Sequence, residues 1–328
     1  PESSSSGAPA MSAAEARAYV ANLATGHYEN FSVLSRLVPE RLRDDFAAVY
    51  AYCRWSDDLG DETGNDAAAR EKSLELLAWW RGQLEACFKF ARAGAASTGE
   101  TSAPPNHPVF IALAETIRRH GLSPEPFHHL IDAFEQDQRV TRYETWEQVI
   151  GYCTRSADPV GRIVLALFGV NGQKPGDADL IRMSDATCTA LQLTNFWQDV
   201  RRDLIERDRV YLPSAETAIS AGELHEWLSR GDDPDVRIRF IKALRPLVHR
   251  TRELFATGRP LPRALGREAG PIIWLFGAGG EHVLTAVEKC GCTTLWHRPR
   301  LTSAAKAGLV LSAMVKQKLW PAGGVRRA

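Results

Sequence analysis

The segment Tyr50-Ala51-Tyr52-Cys53-Arg54-Trp55-Ser56-Asp57-Asp58-Leu59-Gly60-Asp61-Glu62 places four acids in six residues at the end of an apolar run. On a helix, Tyr50, Arg54, Asp57 and Asp61 fall at i, i+4, i+7 and i+11 and share one face. Asp58 and Glu62 make a second pair on the adjacent face. Like charges one turn apart cost a few tenths of a kcal/mol unless something compensates them. A second stripe follows in Gln192-Leu193-Thr194-Asn195-Phe196-Trp197-Gln198-Asp199-Val200-Arg201-Arg202-Asp203. Asn195, Asp199 and Asp203 are spaced i, i+4, i+8, and Gln192 sits about one turn earlier. Leu191, Phe196, Val200 and Leu204 surround them, which predicts a helix buried on much of its surface.

Buried carboxylates must be paired, protonated or metal-bound. Two readings are open. Each stripe could be a solvated face paired with arginine, Arg54 for the first and Arg201 or Arg202 for the second. Alternatively the stripes face one another across a site. Hard oxygen ligands from two helices suit Mg²⁺, which keeps waters and bridges to substrate phosphates. Neither stripe holds a His, which disfavours zinc or iron. The chemistry that results is a carboxylate–Mg²⁺–diphosphate linkage, with Mn²⁺ as the substitute ion.

The elements that must position these residues are helical almost throughout. Apolar periodicity predicts helices over 12–23, from Pro39 to about 59, and over 67–91, 108–120, 124–140, 146–168, 177–205, 214–225, 233–255, 263–289 and 303–319. Pro159 should kink or break the sixth of these. Strand-like alternation, fixed-period repeats and long linkers are missing. The expected architecture is one all-α domain over 12–320, about ten helices around a central cavity, with tails at 1–11 and 321–328.

The chain has 328 residues, 40 Lys+Arg against 40 Asp+Glu, 44% hydrophobic and 24% charged residues, which excludes general disorder. Zero net charge argues against bulk electrostatic binding to nucleic acid. Six scattered Cys without a CxxC pair read as reduced thiols. No apolar run reaches the roughly 18 residues of a membrane span, and Pro1–Gly7 has no basic-then-apolar targeting pattern. The expected location is cytoplasmic, with peripheral membrane contact.

Taken with their flanks, the stripes resemble the squalene and phytoene synthase family of helical isoprenoid synthases over nearly the whole chain. Asp57 and Asp61, preceded by Tyr50 and Arg54, resemble its first aspartate-rich motif. Asn195, Asp199 and Asp203 resemble its NxxxDxxxD motif. His27-Tyr28-Glu29-Asn30-Phe31 is similar to the opening segment near the N-terminus, and Arg209-Val210-Tyr211-Leu212-Pro213 to the segment after the second motif. Thr194-Asn195-Phe196-Trp197-Gln198-Asp199 and Ser156-Ala157-Asp158-Pro159-Val160-Gly161-Arg162 resemble the hopanoid-pathway hydroxysqualene synthase branch. Asp158 departs from it, where Asn is more usual.

The resemblance implies that presqualene diphosphate ionises, the cyclopropylcarbinyl cation rearranges, and water captures it. Asp57, Asp58, Asp61, Asn195, Asp199 and Asp203 would form the metal shell. Arg54 would bind diphosphate oxygens. Tyr50 and Tyr152 would donate to the diphosphate or lie against the cation, or else be core tyrosines. His27, Phe31, Gln192, Ser156, Arg209 and Tyr211 would contact substrate. Phe31, Phe168, Trp197 and Trp274 are candidate walls of an apolar cavity, and Ser156, Asp158 or Gln192 could hold the water. NADPH is not expected, since Gly277-Ala278-Gly279-Gly280 follows no strand. His128-His129 point apart on a helix, and the basic run of Arg298, Arg300, Lys306, Lys316 and Lys318 reads as a solvated face or a headgroup or diphosphate contact. Competing functions are head-to-head condensation of two farnesyl diphosphates, phytoene synthesis from geranylgeranyl diphosphate, and a non-catalytic helical assembly factor.

Overall fold

Breaks in the helices, more than their length, decide where the acidic side chains point. The computed structural model describes residues 11–27, 37–61, 64, 66–93 and 103–321. Helices α1 (Ala13–His27), α2 (Arg43–Asp61, entered through a 3₁₀ turn at Glu40–Leu42), α3 (Ala67–Ala93), α4 (Pro108–His120) and α5 (Glu125–Asp137) form one half. The rest are α6 (Trp146–Ser156), α7 (Asp158–Leu167), α8 (Asp177–Gln198), α9 (Val200–Glu206), α10 (Ser214–Thr217), α11 (Ala221–Trp227), α12 (Pro234–Gly258), α13 (Leu261–Lys289) and α14 (Ser303–Leu319). The described residues contain no strand, only an isolated bridge between Arg142 and Val210. The expected tails fall almost wholly outside the described residues, as do Phe31 and most of 94–105.

Several predicted helices are divided. The 146–168 segment breaks at Ala157, because Pro159 cannot continue the ladder and starts a new helix in its first turn. The 177–205 segment is not one helix. It ends at Gln198, and Asp199 takes φ −105°, ψ 16° before α9 resumes. The spacing of Asn195, Asp199 and Asp203 is therefore not that of a continuous helical face. The 214–225 segment is likewise split, with Ala218 at φ 50°. Gly266, at φ 72°, bends α13 near its start.

α2 packs among α1, α3, α4 and α5, while α8 lies against α7, α12 and α13. Buried Asp45 fixes the start of α2. It accepts from Thr116 Oγ1 and Arg119 Nη1, each at 2.9 Å, and lies 2.9 Å from His120 Nε2. α8 and α13 meet closely at Gly280, where a Cβ would stand 2.4 Å from Leu191 Cδ2. That packing accounts for Gly280 of the glycine-rich run.

Asp158 is buried at the start of α7 and accepts from Thr189 Oγ1 at 2.8 Å. Burial, then nearby Asp185, raises its carboxyl to about 7. A folded-state value above the unfolded one favours the fold at low pH. That stability is lost as pH rises from about 4 to about 7. Asp158→Asn is expected to flatten this decline and to raise stability at about pH 8 by on the order of 2 kcal/mol. Urea unfolding at both ends of the range checks it, and equal losses for the two proteins would refute it.

Candidate active site

The first stripe emerges from the last turns of α2. Arg54 reaches forward along its own helix, with Nη1 3.4 Å from Asp57 Oδ2 and Nη2 2.5 Å from Asp58 Oδ1. Asp61 instead takes partners from far along the chain. Arg207 Nη2 is 2.8 Å from its Oδ2, and Arg209 Nη1 is 3.2 Å from its Oδ1. Between the two arginines Asp208 adopts φ 50°, a conformation that Asp tolerates better than most residues. Arg142 grips both the carboxylate and the carbonyl of Asp208, and the Val210 N–H donates to Thr141 O at 2.9 Å. This tight turn lets both guanidinium groups reach one carboxylate.

Arg209 also stands 3.5 Å from Asp137 Oδ2, to which the Tyr152 hydroxyl donates at 2.8 Å. Asp137 is 5% exposed and Arg209 7%. Tyr152 is in van der Waals range of Tyr211, which stacks on Phe196 with centroids 3.6 Å apart. The segment after α9 is thus bolted to the end of α2 by ions and to α8 by stacked rings.

At the second stripe, Arg298 clasps Asp199 with two nitrogens, Nε to Oδ1 and Nη2 to Oδ2, the latter at 3.0 Å. Arg202 is more distant, 3.8 Å from Asp199 Oδ2. Gln198 Nε2 donates to Pro299 O at 2.7 Å, which holds the Arg298 segment over the stripe. The principal partner is therefore Arg298 and not Arg201 or Arg202. A sequence reading misses it because the pairing spans about a hundred positions.

These arginines do not fully neutralise the acids. Burial and the neighbouring Asp61 raise the Asp57 carboxyl to about 6. Burial and nearby Asp199 raise that of Asp203 to about 7. Both shifts mean that negative charge is crowded here and that a further cation would be welcomed. Among the described residues no three His, Cys, Asp or Glu side chains converge tightly enough to hold a metal alone. Mg²⁺ does not require that, since it binds through one or two carboxylates, waters and substrate phosphates. The hard oxygen set of Asp57, Asp61, Asp199, Asp203 and Asn195 fits it.

Beside the stripes lies an apolar cavity of about 320 Å³. α2, α7, α8 and α13 enclose it, and Tyr50 and Cys53 belong to its wall. Tyr50 shares a helical face with Arg54, Asp57 and Asp61, so the wall runs directly into the acidic rim. Gly161 stands where a Cβ would come within 2.5 Å of Ser184 Oγ and 2.6 Å of Cys188 Sγ, so the helices meet there and keep the wall narrow. An ionic rim joined to an apolar pocket is what a long-chain diphosphate needs.

Residues 24–305 match the pattern of squalene/phytoene synthase. The chain belongs to the squalene/phytoene synthase family. It is 35% identical over 192 residues to a hydroxysqualene synthase of Zymomonas mobilis subsp. mobilis, covering 58% of this chain and 56% of that one. The chain thus matches little more than half of that relative's length. It is 30% identical over 281 residues to a 15-cis-phytoene synthase of Synechocystis sp., covering 84% and 77%. Among solved structures, squalene synthase HpnC from Alicyclobacillus acidocaldarius is similar at 36% identity and a TM-score of 0.65, over 85% of this chain and 95% of that one.

The candidate residues singled out in the sequence are distributed as follows. Asp57, Asp58 and Asp61 stand at the end of α2 with Arg54 beside them, Asp203 lies near the Arg207 that pairs with Asp61, Asp199 is held by Arg298, and Asn195 is exposed on α8. Gln192 is half-buried next to Leu191 of the cavity wall. Tyr152, Arg209 and Tyr211 are buried behind the rim, where they support it. Ser156 Oγ is buried at the end of α6. His27 ends α1, and Phe31 lies outside the described residues. Of the aromatic wall candidates, Trp197 is core, donating to Thr251 at 2.8 Å, and Phe168 packs on Phe46. Trp274 takes a Lys316 ammonium 4.5 Å from its ring centroid. Phe46 and Phe276 line the cavity instead. Asp137, Arg207 and Arg298 were not signalled by local spacing, because each acts through a distant partner.

Proposed function

We propose that this member of the squalene/phytoene synthase family ionises presqualene diphosphate with Mg²⁺, and that rearrangement and water capture then give hydroxysqualene for squalene and hopanoid biosynthesis. The observation that carries the prenyl diphosphate class is the apolar cavity whose wall includes Tyr50, on the helix that ends in the first carboxylate stripe. The branch rests on the phrase Phe196-Trp197-Gln198 and on likeness to the Zymomonas relative and to HpnC. Gln198 has a stated task here, tying down the segment that presents Arg298.

Asp57, Asp61, Asn195, Asp199 and Asp203 would hold the ions. Bound Mg²⁺ supplies charge neutralisation for the departing diphosphate. Arg54 and Arg298 sit where they can exchange carboxylate partners for diphosphate oxygens, which guanidinium forks bind in pairs. The aliphatic wall, with Phe46 and Phe276, keeps bulk water from the cation. Tyr50, Cys53, Ser184, Thr187 and Cys188 are the polar groups on that wall. Thr187 Oγ1 is already committed to Met183 O at 2.9 Å. Asp158 is not on the wall.

The decisive experiment incubates the protein separately with farnesyl diphosphate and presqualene diphosphate, with Mg²⁺ and without NADPH. Hydroxysqualene from presqualene diphosphate alone is the expected result. Conversion of farnesyl diphosphate only would establish head-to-head condensation instead. The Synechocystis likeness keeps phytoene synthesis as a second reading, tested by adding geranylgeranyl diphosphate.

A further inference from the structure

Asp199 is already held by a cation that belongs to the chain. The Arg298 fork engages both of its oxygens, with Nη2 3.0 Å from Oδ2. The guanidinium groups at the two stripes are not alike. The Arg209 side chain is buried and bridges Asp61 and Asp137. The Arg298 side chain is 36% exposed, and Asp199 is the acid it pairs with among the described residues. Arg209 is walled in, whereas the fork of Arg298 has room to turn.

The backbone of Arg298 does not have that freedom. Just before it, Trp296 Nε1 donates to Trp227 O at 2.8 Å, and the Trp296 ring packs on Phe240 with centroids 5.3 Å apart. Gly231 makes space for that ring, since a Cβ there would come within 2.9 Å of Trp296 Cδ1. Just after it, Gln198 Nε2 holds Pro299 O at 2.7 Å, and Thr302 opens α14 by accepting from the Ala305 N–H at 3.2 Å. The segment is pinned on both sides of Arg298. A long, flexible side chain therefore hangs from a fixed point over the second stripe.

We propose that Arg298 guards Asp199 against Mg²⁺ arriving alone, and releases it when a diphosphate arrives with the ion. The guard deepens the function proposed above and rests on its assignment of Asp199 as an ion ligand. A guanidinium fork takes one lone pair on each carboxylate oxygen, and its charge repels a divalent ion brought to the same group. A diphosphate offers the fork oxygens in pairs, so Arg298 can leave Asp199 without being left unpaired. Binding of the ion and binding of diphosphate are thereby coupled, and such coupling is reciprocal. Gln198 is a positioning residue, since it acts through the segment that carries Arg298.

The test is calorimetric titration of the full chain with Mg²⁺ alone, and with Mg²⁺ in the presence of inorganic diphosphate. Arg298→Gln should bind Mg²⁺ alone about tenfold more tightly, because an uncompensated carboxylate attracts the ion more strongly. The same variant should bind Mg²⁺ with diphosphate about tenfold more weakly, because one charge-assisted fork is lost. Arg298→Lys keeps the charge and should restore the weak binding of Mg²⁺ alone. Gln198→Met removes the tether at Pro299 and should shift both affinities in the same directions by less, which carries the test if Arg298→Gln loses its helicity. A purely structural ion pair would leave both affinities unchanged. A plain diphosphate contact would weaken only the second titration. Either result overturns the guard. A wild-type chain that binds no Mg²⁺ even with diphosphate would remove the ion site itself, and the guard with it. None of these titrations contains a prenyl chain, so the guard can fail while presqualene diphosphate is still converted, and can hold while farnesyl diphosphate proves to be the substrate.

Discussion

Asp203→Asn should abolish turnover while leaving the protein more stable above pH 7. The carboxyl sits half-buried beside Asp199, and burial together with that neighbour raises it to about 7. In the unfolded chain the same group ionises near 3.9. The folded form therefore holds a proton that the unfolded form releases, and stability falls as pH climbs from about 4 to about 7. Asn removes the charge and keeps the shape. Partial exposure limits the gain at about pH 8 to on the order of 1 kcal/mol, or about 2 °C in a chain of this size. The functional cost runs the other way. Losing one carboxylate from the ion-binding rim should lower kcat by about 10³-fold, because metal neutralisation of the leaving group contributes several kcal/mol to the transition state. The same variant should lose thermal stabilisation by Mg²⁺ plus diphosphate. Undiminished turnover with native helicity, or a lower melting temperature at pH 8, would each refute this account. Asp199→Asn makes a useful contrast. It frees Arg298, so the same loss of turnover should come without the gain in stability.

The opposite signs explain why a candidate site stands out in the sequence at all. Carboxylates crowded on an apolar helix end are locally unfavourable, and such conflicts mark function. Asp57, Asp61, Asp199 and Asp203 could be found by spacing because the conflict is local. The helices themselves were legible for the same reason: α4 and α14 begin and end where Pro108, Gly121 and Thr302 punctuate the pattern. What spacing could not supply was long-range pairing. Asp137 is one acid at the end of an ordinary helix, and nothing nearby in sequence announces Tyr152 or Arg209 as its partners. Arg298 reads as part of a basic tail until the chain folds it onto Asp199. The break at Asp199 was also hidden. Neither Pro nor Gly occurs there, so the interruption reflects tertiary demand and not local propensity. Trp197 misled in the other direction, since an aromatic beside a motif is placed by its indole N–H, and that bonds Thr251 in the core.

Arg209→Ala is expected to cost about 3–5 kcal/mol of stability, because it strands a buried carboxylate. Arg209 bridges Asp61 and Asp137, the last residues of α2 and α5, and so ties the segment after α9 to that half of the fold. Asp61 would keep Arg207 at 2.8 Å, so its loss is partial. Asp137 would keep only the Tyr152 hydroxyl, a neutral donor. Burial already lifts Asp137 to about 6 with the guanidinium in place. Without it the carboxyl must rise further and take up a proton near neutrality, which caps the penalty at low pH. The destabilisation should therefore be larger at about pH 8 than at about pH 5, measured from urea midpoints at unchanged m-value. Adding Asp137→Asn removes the stranded charge, so the double variant should recover about half or more of the loss and be nearly independent of pH. A single-variant cost below about 1 kcal/mol would mean that solvent reaches Asp137. A double variant showing the simple sum of two losses would mean that the pair is not coupled. Either result would remove the ionic bolt from the explanation of how the segment after α9 is held against the end of α2. The expected result places that bolt behind the rim, where it keeps the two carboxylate stripes at a fixed distance without itself touching substrate.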